Sequence, residues 1–158
     1  MARTGIALLT LTLAFSLTAC GAGFNAETRS IKQVTDGVEG AITTDGNNIK
    51  LLNVLVVETA EGAGVLVATI VNAQPPEDAL LGVAINGVIA TVTGNSTLPQ
   101  NSPITFEGPS ANAKAVAPVL NAKAGSHVQV TMFFARAGEI TVLALVREQS
   151  DTYAGVSA

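Results

Sequence analysis

The sequence predicts an all-β fold, an antiparallel sandwich of about seven to eight strands. Three observations predict it. Short runs of β-branched and aliphatic residues, such as Ile49 to Val57 and Val65 to Val71, recur along the chain. Turn residues separate them, among them Asn86-Gly87, the strongest short hairpin signal. No long segment repeats its apolar residues at the 3.6-residue period of an amphipathic helix. The 158 residues are 48% hydrophobic and 13% charged, which suits one folded core and argues against disorder.

The elements follow in order. Gly37 to Thr44 is expected to pair with the sheet as an early strand. Ile49 to Val57 has apolar residues on both faces, with Leu52, Val54 and Val56 on one and Leu51, Leu55 and Val57 on the other, as in a strand covered on both sides. Glu61 to Gly64 turns the chain into the Val65–Val71 strand. Pro75-Pro76-Glu77-Asp78 reads as a rigid polar loop. Leu80 to Ile85 and Val88 to Thr93 form a hairpin around Asn86-Gly87. Leu98 to Pro103 is a loop; Ile104–Glu107 and Ala115–Leu120 are short edge strands, with Pro118 unsuited to a central position. Val128, Val130, Met132 and Phe134 alternate with Gln129 and Thr131, and after Ala137-Gly138 Ile140, Val142, Ala144 and Val146 alternate with Thr141, Leu143 and Leu145, so a last hairpin closes the domain. Phe133, opposite in phase to Met132 and Phe134, falls either inside a second layer or exposed at a binding patch, and the interior is the expected place. About 110 residues are ample for one such core.

The first twenty residues, MARTGIALLTLTLAFSLTAC, read as a processing signal. Arg3 supplies a positive start, and Ile6 to Leu17 is uncharged but shorter than the roughly 20 residues a membrane-spanning helix needs. The run ends in Leu17-Thr18-Ala19-Cys20, which resembles a bacterial lipobox: an aliphatic residue, two small ones, then a Cys whose sulfur takes the lipid. Small side chains suit the cleaved bond, and paired acyl chains anchor stably where one does not. The expected organisation is a leader over 1–19, a flexible tether over 20–36, a β-sandwich over 37–146 and a flexible tail over 147–158. The expected location is the extracytoplasmic face of a cell membrane, held through the lipid on Cys20.

Several blocks in fixed order resemble a known family. They are Asp78-Ala79-Leu80-Leu81-Gly82-Val83, Ala90-Thr91-Val92-Thr93, Thr97-Leu98-Pro99, and Val130-Thr131-Met132-Phe133-Phe134-Ala135-Arg136-Ala137-Gly138-Glu139-Ile140-Thr141-Val142. Together with Ile49 to Val57 they resemble the periplasmic copper chaperone family PCu(A)C, and within it the divergent branch of actinobacterial envelope lipoproteins of the LpqE type. The resemblance implies an Ig-like or cupredoxin-like sandwich. It also implies where copper would bind: a His after the strand matched by Ala90–Val92, and a His-x-Met pair after the strand matched by Ile104–Phe106. This chain has Thr93-Gly94-Asn95 and Pro109 to Lys114 there, none of them the imidazole or thioether that Cu(I) selects.

Other chemistry is sparse. With one Cys the chain cannot form an internal disulfide, and eight Lys plus Arg against twelve Asp plus Glu do not make the basic face a nucleic-acid binder needs. His127, the one imidazole, is expected at an exposed turn, and Met132 in the core; these two are the candidate metal ligands. Ser126 beside His127 makes no triad, because neighbouring strand residues point to opposite faces. Glu58, Glu61, Glu77 and Asp78 are expected as solvated loop carboxylates. No enzyme activity and no cofactor is expected. The function expected is a lipid-anchored envelope protein with a non-catalytic binding or accessory domain for an unknown envelope protein or ligand, the alternative being a divergent copper-binding chaperone.

Overall fold

The computed structural model describes residues 36–158; the expected leader and nearly all of the expected tether lie outside them. Eleven strands follow one another: β1 (Val38–Ile42), β2 (Ile49–Glu58), β3 (Gly64–Asn72), β4 (Asp78–Ile85), β5 (Val88–Ile89), β6 (Thr91–Gly94), β7 (Thr97–Leu98), β8 (Ile104–Phe106), β9 (Ala113–Ala117), β10 (His127–Phe134) and β11 (Gly138–Glu148). They form one sheet in the order β5-β4-β10-β11-β2-β3-β8-β9-β6, with β1 on β2 and β7 on β4. The sheet folds over itself into a nearly closed sandwich, so the all-β architecture is as expected.

The strand number is higher than expected in part because the return arm of the Asn86-Gly87 hairpin breaks at Ala90 and because Thr97–Leu98, at the start of the expected loop, pairs with β4 as β7. β5 pairs with β4 (Ile85↔Val88), whereas β6 leaves that layer and pairs with β9 (Thr91↔Val116). Asn86 and Gly87 have φ of 51° and 78°, the left-handed pair that a two-residue hairpin turn requires. The sheet is not wholly antiparallel either: β11 runs parallel to β2 (Val146↔Val56), and β8 touches β9 in parallel.

A bulge corrects the expected faces of β2. Asn53 takes φ of 51°, and the pairing with β3 slips between Leu52 and Leu55. Ile49, Leu51, Val54 and Val56 therefore all face the main core, while Leu52 is turned to the surface. An extra residue in one strand shifts the side-chain alternation by one, and Asn tolerates the left-handed geometry better than an aliphatic residue does.

The core lies between the two layers. Leu80, Val83, Ile85, Val128, Val130, Met132, Phe134, Ala144 and Val146 meet Leu66, Ala68, Ile70, Ile104 and Phe106. Phe133, expected inside, is 38% exposed, because its neighbours Met132 and Phe134 point inward and no layer among the described residues covers its own face. A second, smaller cluster of Leu55, Val57 and Val65 sits on the outside of β2 and β3. Residues of the expected flexible tail cover it. β11 continues to Glu148, a short 3-10 turn occupies Asp151–Tyr153, and Val156 is buried on the cluster. Gln149 ties the segment down: its Oε1 accepts from the Ala60 N–H and its Nε2 donates to the Val156 carbonyl.

Candidate functional site

The two segments that the family resemblance aligns with copper ligands are brought together by strand pairing. Thr93 lies opposite Lys114 and Gly94 opposite Ala113 on β6 and β9. Past the strand ends, the Asn95 N–H donates to the Asn112 carbonyl at 2.8 Å. The approach is close enough that a Cβ on Gly94 would stand 2.5 Å from that oxygen, and Gly94 has φ of +88°, so glycine is required twice over.

The side chains at this junction are occupied by backbone. Asn112 Oδ1 accepts from the Thr105 N–H at 2.9 Å and its Nδ2 donates to the Pro103 carbonyl at 2.9 Å. Asn95 Oδ1 accepts from the Thr97 N–H and hydroxyl at 3.2 and 3.0 Å, and its Nδ2 donates to the Thr97 carbonyl. Lys114 extends to Glu107 at 3.5 Å. Amide oxygens already engaged by N–H donors are poor partners for a soft cation.

His127 and Met132 are not brought together. His127 is exposed at the start of β10 opposite Leu145, and Met132 is fully buried in the core. Five residues of strand separate them by about 17 Å, on opposite faces. Ser126 gives its hydroxyl hydrogen bond to the Lys123 carbonyl. Among the described residues no group of three or more His, Cys, Asp and Glu side chains is placed to hold a metal ion. Leu17, Thr18, Ala19 and Cys20 lie outside the described residues.

Two carboxylates depart from the solvated expectation. Asp78 is 3% exposed and clamps the β10–β11 turn to β4: its Oδ1 accepts from the Arg136 and Ala79 N–H groups at 2.8 Å, and its Oδ2 from the Ala137 N–H at 3.0 Å. The Arg136 guanidinium donates to Asn47 Oδ1 and, at 3.2 Å, to the Pro76 carbonyl. A carboxylate that accepts several backbone N–H bonds offsets its burial. Sequence pattern did not identify this clamp, although Asp78 and Arg136 both stand in blocks that carried the family resemblance. At the other end of the sheet, Glu58 accepts from Lys123 Nζ at 2.6 Å and the Ala124 N–H at 3.0 Å. The Lys123 hydrogen bond, then that of Ala124, holds its carboxyl below the usual 4.5. A shallow depression of about 390 Å³ opens there between Glu58, Gly62, Val119, Asn121, Ala122 and Lys123.

The fold is similar to solved PCuAC domains. A copper-bound PCuAC domain from PmoF2 superposes with a TM-score of 0.56 at 23% identity, over 70% of this chain and 98% of that one. The apo PCuAC domain from PmoF1 does so with 0.54 at 21% identity, over 63% and 93%. The apo PmoF2 PCuAC domain gives 0.55 at 21%, over 65% and 92%. No protein-family model matches the sequence, and no curated protein sequence does.

Proposed function

We propose that this chain is a lipid-anchored, extracytoplasmic envelope protein of the LpqE type, whose PCuAC-like sandwich is a non-catalytic binding or accessory domain that has given up copper transfer. The observation that carries the reading is the junction of β6 and β9. Asn95 and Asn112 stand where the resemblance implies copper ligands, and both spend their side chains on backbone hydrogen bonds. Its location rests on Leu17-Thr18-Ala19-Cys20, with lipid on the Cys20 sulfur. Its partner is an envelope protein or ligand held by surface contact, since the residues in place are suited to packing and hydrogen bonding.

Fold likeness to a copper-bound domain favours a second reading, a divergent copper-binding chaperone. Titration of the full-length chain in detergent with Cu(I) separates the two. The proposal expects no saturable submicromolar binding. Tight binding that the exposed-site variant His127→Ala abolishes would establish the second reading instead. Anchoring is checked separately: Cys20→Ser should lose lipid labelling and leave the membrane fraction, and unchanged retention would count against the anchor.

A further inference from the structure

We infer that the outward face of β4, β5, β10 and β11 lies against the lipid surface to which the chain is anchored; the inference rests on the proposed lipid at Cys20. Four exposed apolar side chains stand on this face: Ile89 (81% exposed), Leu81 (69%), Leu143 (60%) and Phe133 (38%). Strand register makes them neighbours. Ile89 lies opposite Ala84, Ala84 opposite Thr131 and Thr131 opposite Thr141. In the adjoining rows Gly82 lies opposite Phe133, and Gln129 opposite Leu143. The pairing of β4 with β10 slips beside Phe133, so Leu81 and Gly82 share its flank. A Cβ at Gly82 would meet nothing within 4 Å, so an open notch separates Leu81 from the aromatic ring.

Two of the three polar side chains at the centre of the face are already paired, and the third, Gln129 beside Leu143, is uncharged and exposed. The hydroxyls of Thr131 and Thr141 hydrogen-bond to each other at 2.8 Å, which lowers the cost of removing them from water. Charges stand only at its ends, Glu139 opposite Phe133 and Arg147 further along β11. The whole chain carries a net charge of −4, so anionic headgroups repel it elsewhere more than here. An uncharged apolar patch of this kind marks a contact surface.

The point where the chain enters the domain selects lipid as the occupant. Arg147 shares the outward alternation of Leu143 and lies about 13 Å along the strand from it. Its Nε is 3.5 Å from Asp36 Oδ2, the first described residue. Tyr153 of the C-terminal segment also donates to Asp36 Oδ2, at 3.3 Å, so the chain from Cys20 enters the domain at the boundary between this face and the covered one. That stretch of roughly 16 residues spans at most about 58 Å when fully extended. Anchoring so close raises the effective concentration of the face at the bilayer, so a weak patch is enough.

The test uses the acylated chain that begins at Cys20, on vesicles of phosphatidylethanolamine and phosphatidylglycerol. Cys20 is the sole cysteine and is blocked by lipid, so Leu143→Cys or Ala111→Cys carries an environment-sensitive fluorophore. The Leu143 probe should shift to the blue and be quenched by acyl-chain quenchers, while the Ala111 probe, on the β8–β9 loop, stays in water. Adding Leu81→Glu and Ile89→Glu should abolish the shift at Leu143 without changing vesicle flotation. A chain that floats while its Leu143 probe remains in water overturns the inference and leaves the anchor standing. A shift that depends on protein density, and persists in detergent, assigns the face to a second copy and also overturns it. A chain that does not float overturns the anchor and this inference together.

Discussion

Two outer faces of the same sheet bear outward-phase apolar residues, and the protein treats them differently. On β2 and β3, Leu55, Val57 and Val65 are covered by the chain's own C-terminal segment, through Val156 and Tyr153. On β4, β5, β10 and β11, Leu81, Ile89, Phe133 and Leu143 are left open. The first face is therefore part of the folding core, and its burial is counted in the stability of the domain. The second, exposed among the described residues, contributes little to folding. The lesson is that an apolar strand face has no fixed meaning until its cover is known.

Substitutions can break the comparison, beginning with the largest effect. Met132 lies directly beneath the open face, fully buried. Met132→Ala should cost about 2–5 kcal/mol, measured by urea unfolding, because a cavity is added to the lost burial. Val156→Asp should uncover the second cluster and cost about 1.5–3 kcal/mol, with a rise in binding of a hydrophobic dye. Unchanged dye binding would mean that the segment is not the cover.

Alkaline pH should act on the same cover. Burial, then the Asp36 carboxylate, pushes the Tyr153 phenol above its usual 10.0. The folded state thus favours the neutral phenol. The stability this provides is complete below the unfolded pKa of about 10 and is lost as pH rises through the higher folded value. Proteolysis after Glu148 should therefore accelerate in that alkaline range, and Tyr153→Phe should remove the dependence. The smallest effect is expected on the open face. Leu143→Thr should change stability by less than about 0.5 kcal/mol. A larger loss would show that this face, too, belongs to the folding core.

Much of the fold was legible where local chemistry has one solution. Asn86-Gly87 called for a hairpin and forms one, and the strict alternation from Val128 to Phe134 put Val128, Val130, Met132 and Phe134 in the core. The β2 run was harder. Apolar residues on both faces leave the phase open, and its pairings with β1 and β3 revealed the bulge at Asn53. The cover supplied by Val156 had no periodic signal, since a single valine among small and polar residues reads as loop. At the candidate site, the residue types between Thr93 and Lys114 were readable, but their adjacency was not. Gly94 and Ala113 meet because β6 crosses to the other layer.

The amino-acid sequence by itself determined the all-β class, the main hairpins, the inward residues of the last two strands and the shortage of soft metal ligands. These follow from side-chain alternation, turn geometry and composition, which are local. Tertiary structure alone decided which outer face is covered, where Asn53 shifts the register, and that Asp78 is a buried clamp rather than a solvated carboxylate. Each of these depends on a partner distant in the chain: Val67 for the bulge, Val156 for the covered face, the Arg136-Ala137 backbone for Asp78. Burial and pairing are properties of a neighbourhood, and no residue carries its neighbourhood in its own chemistry.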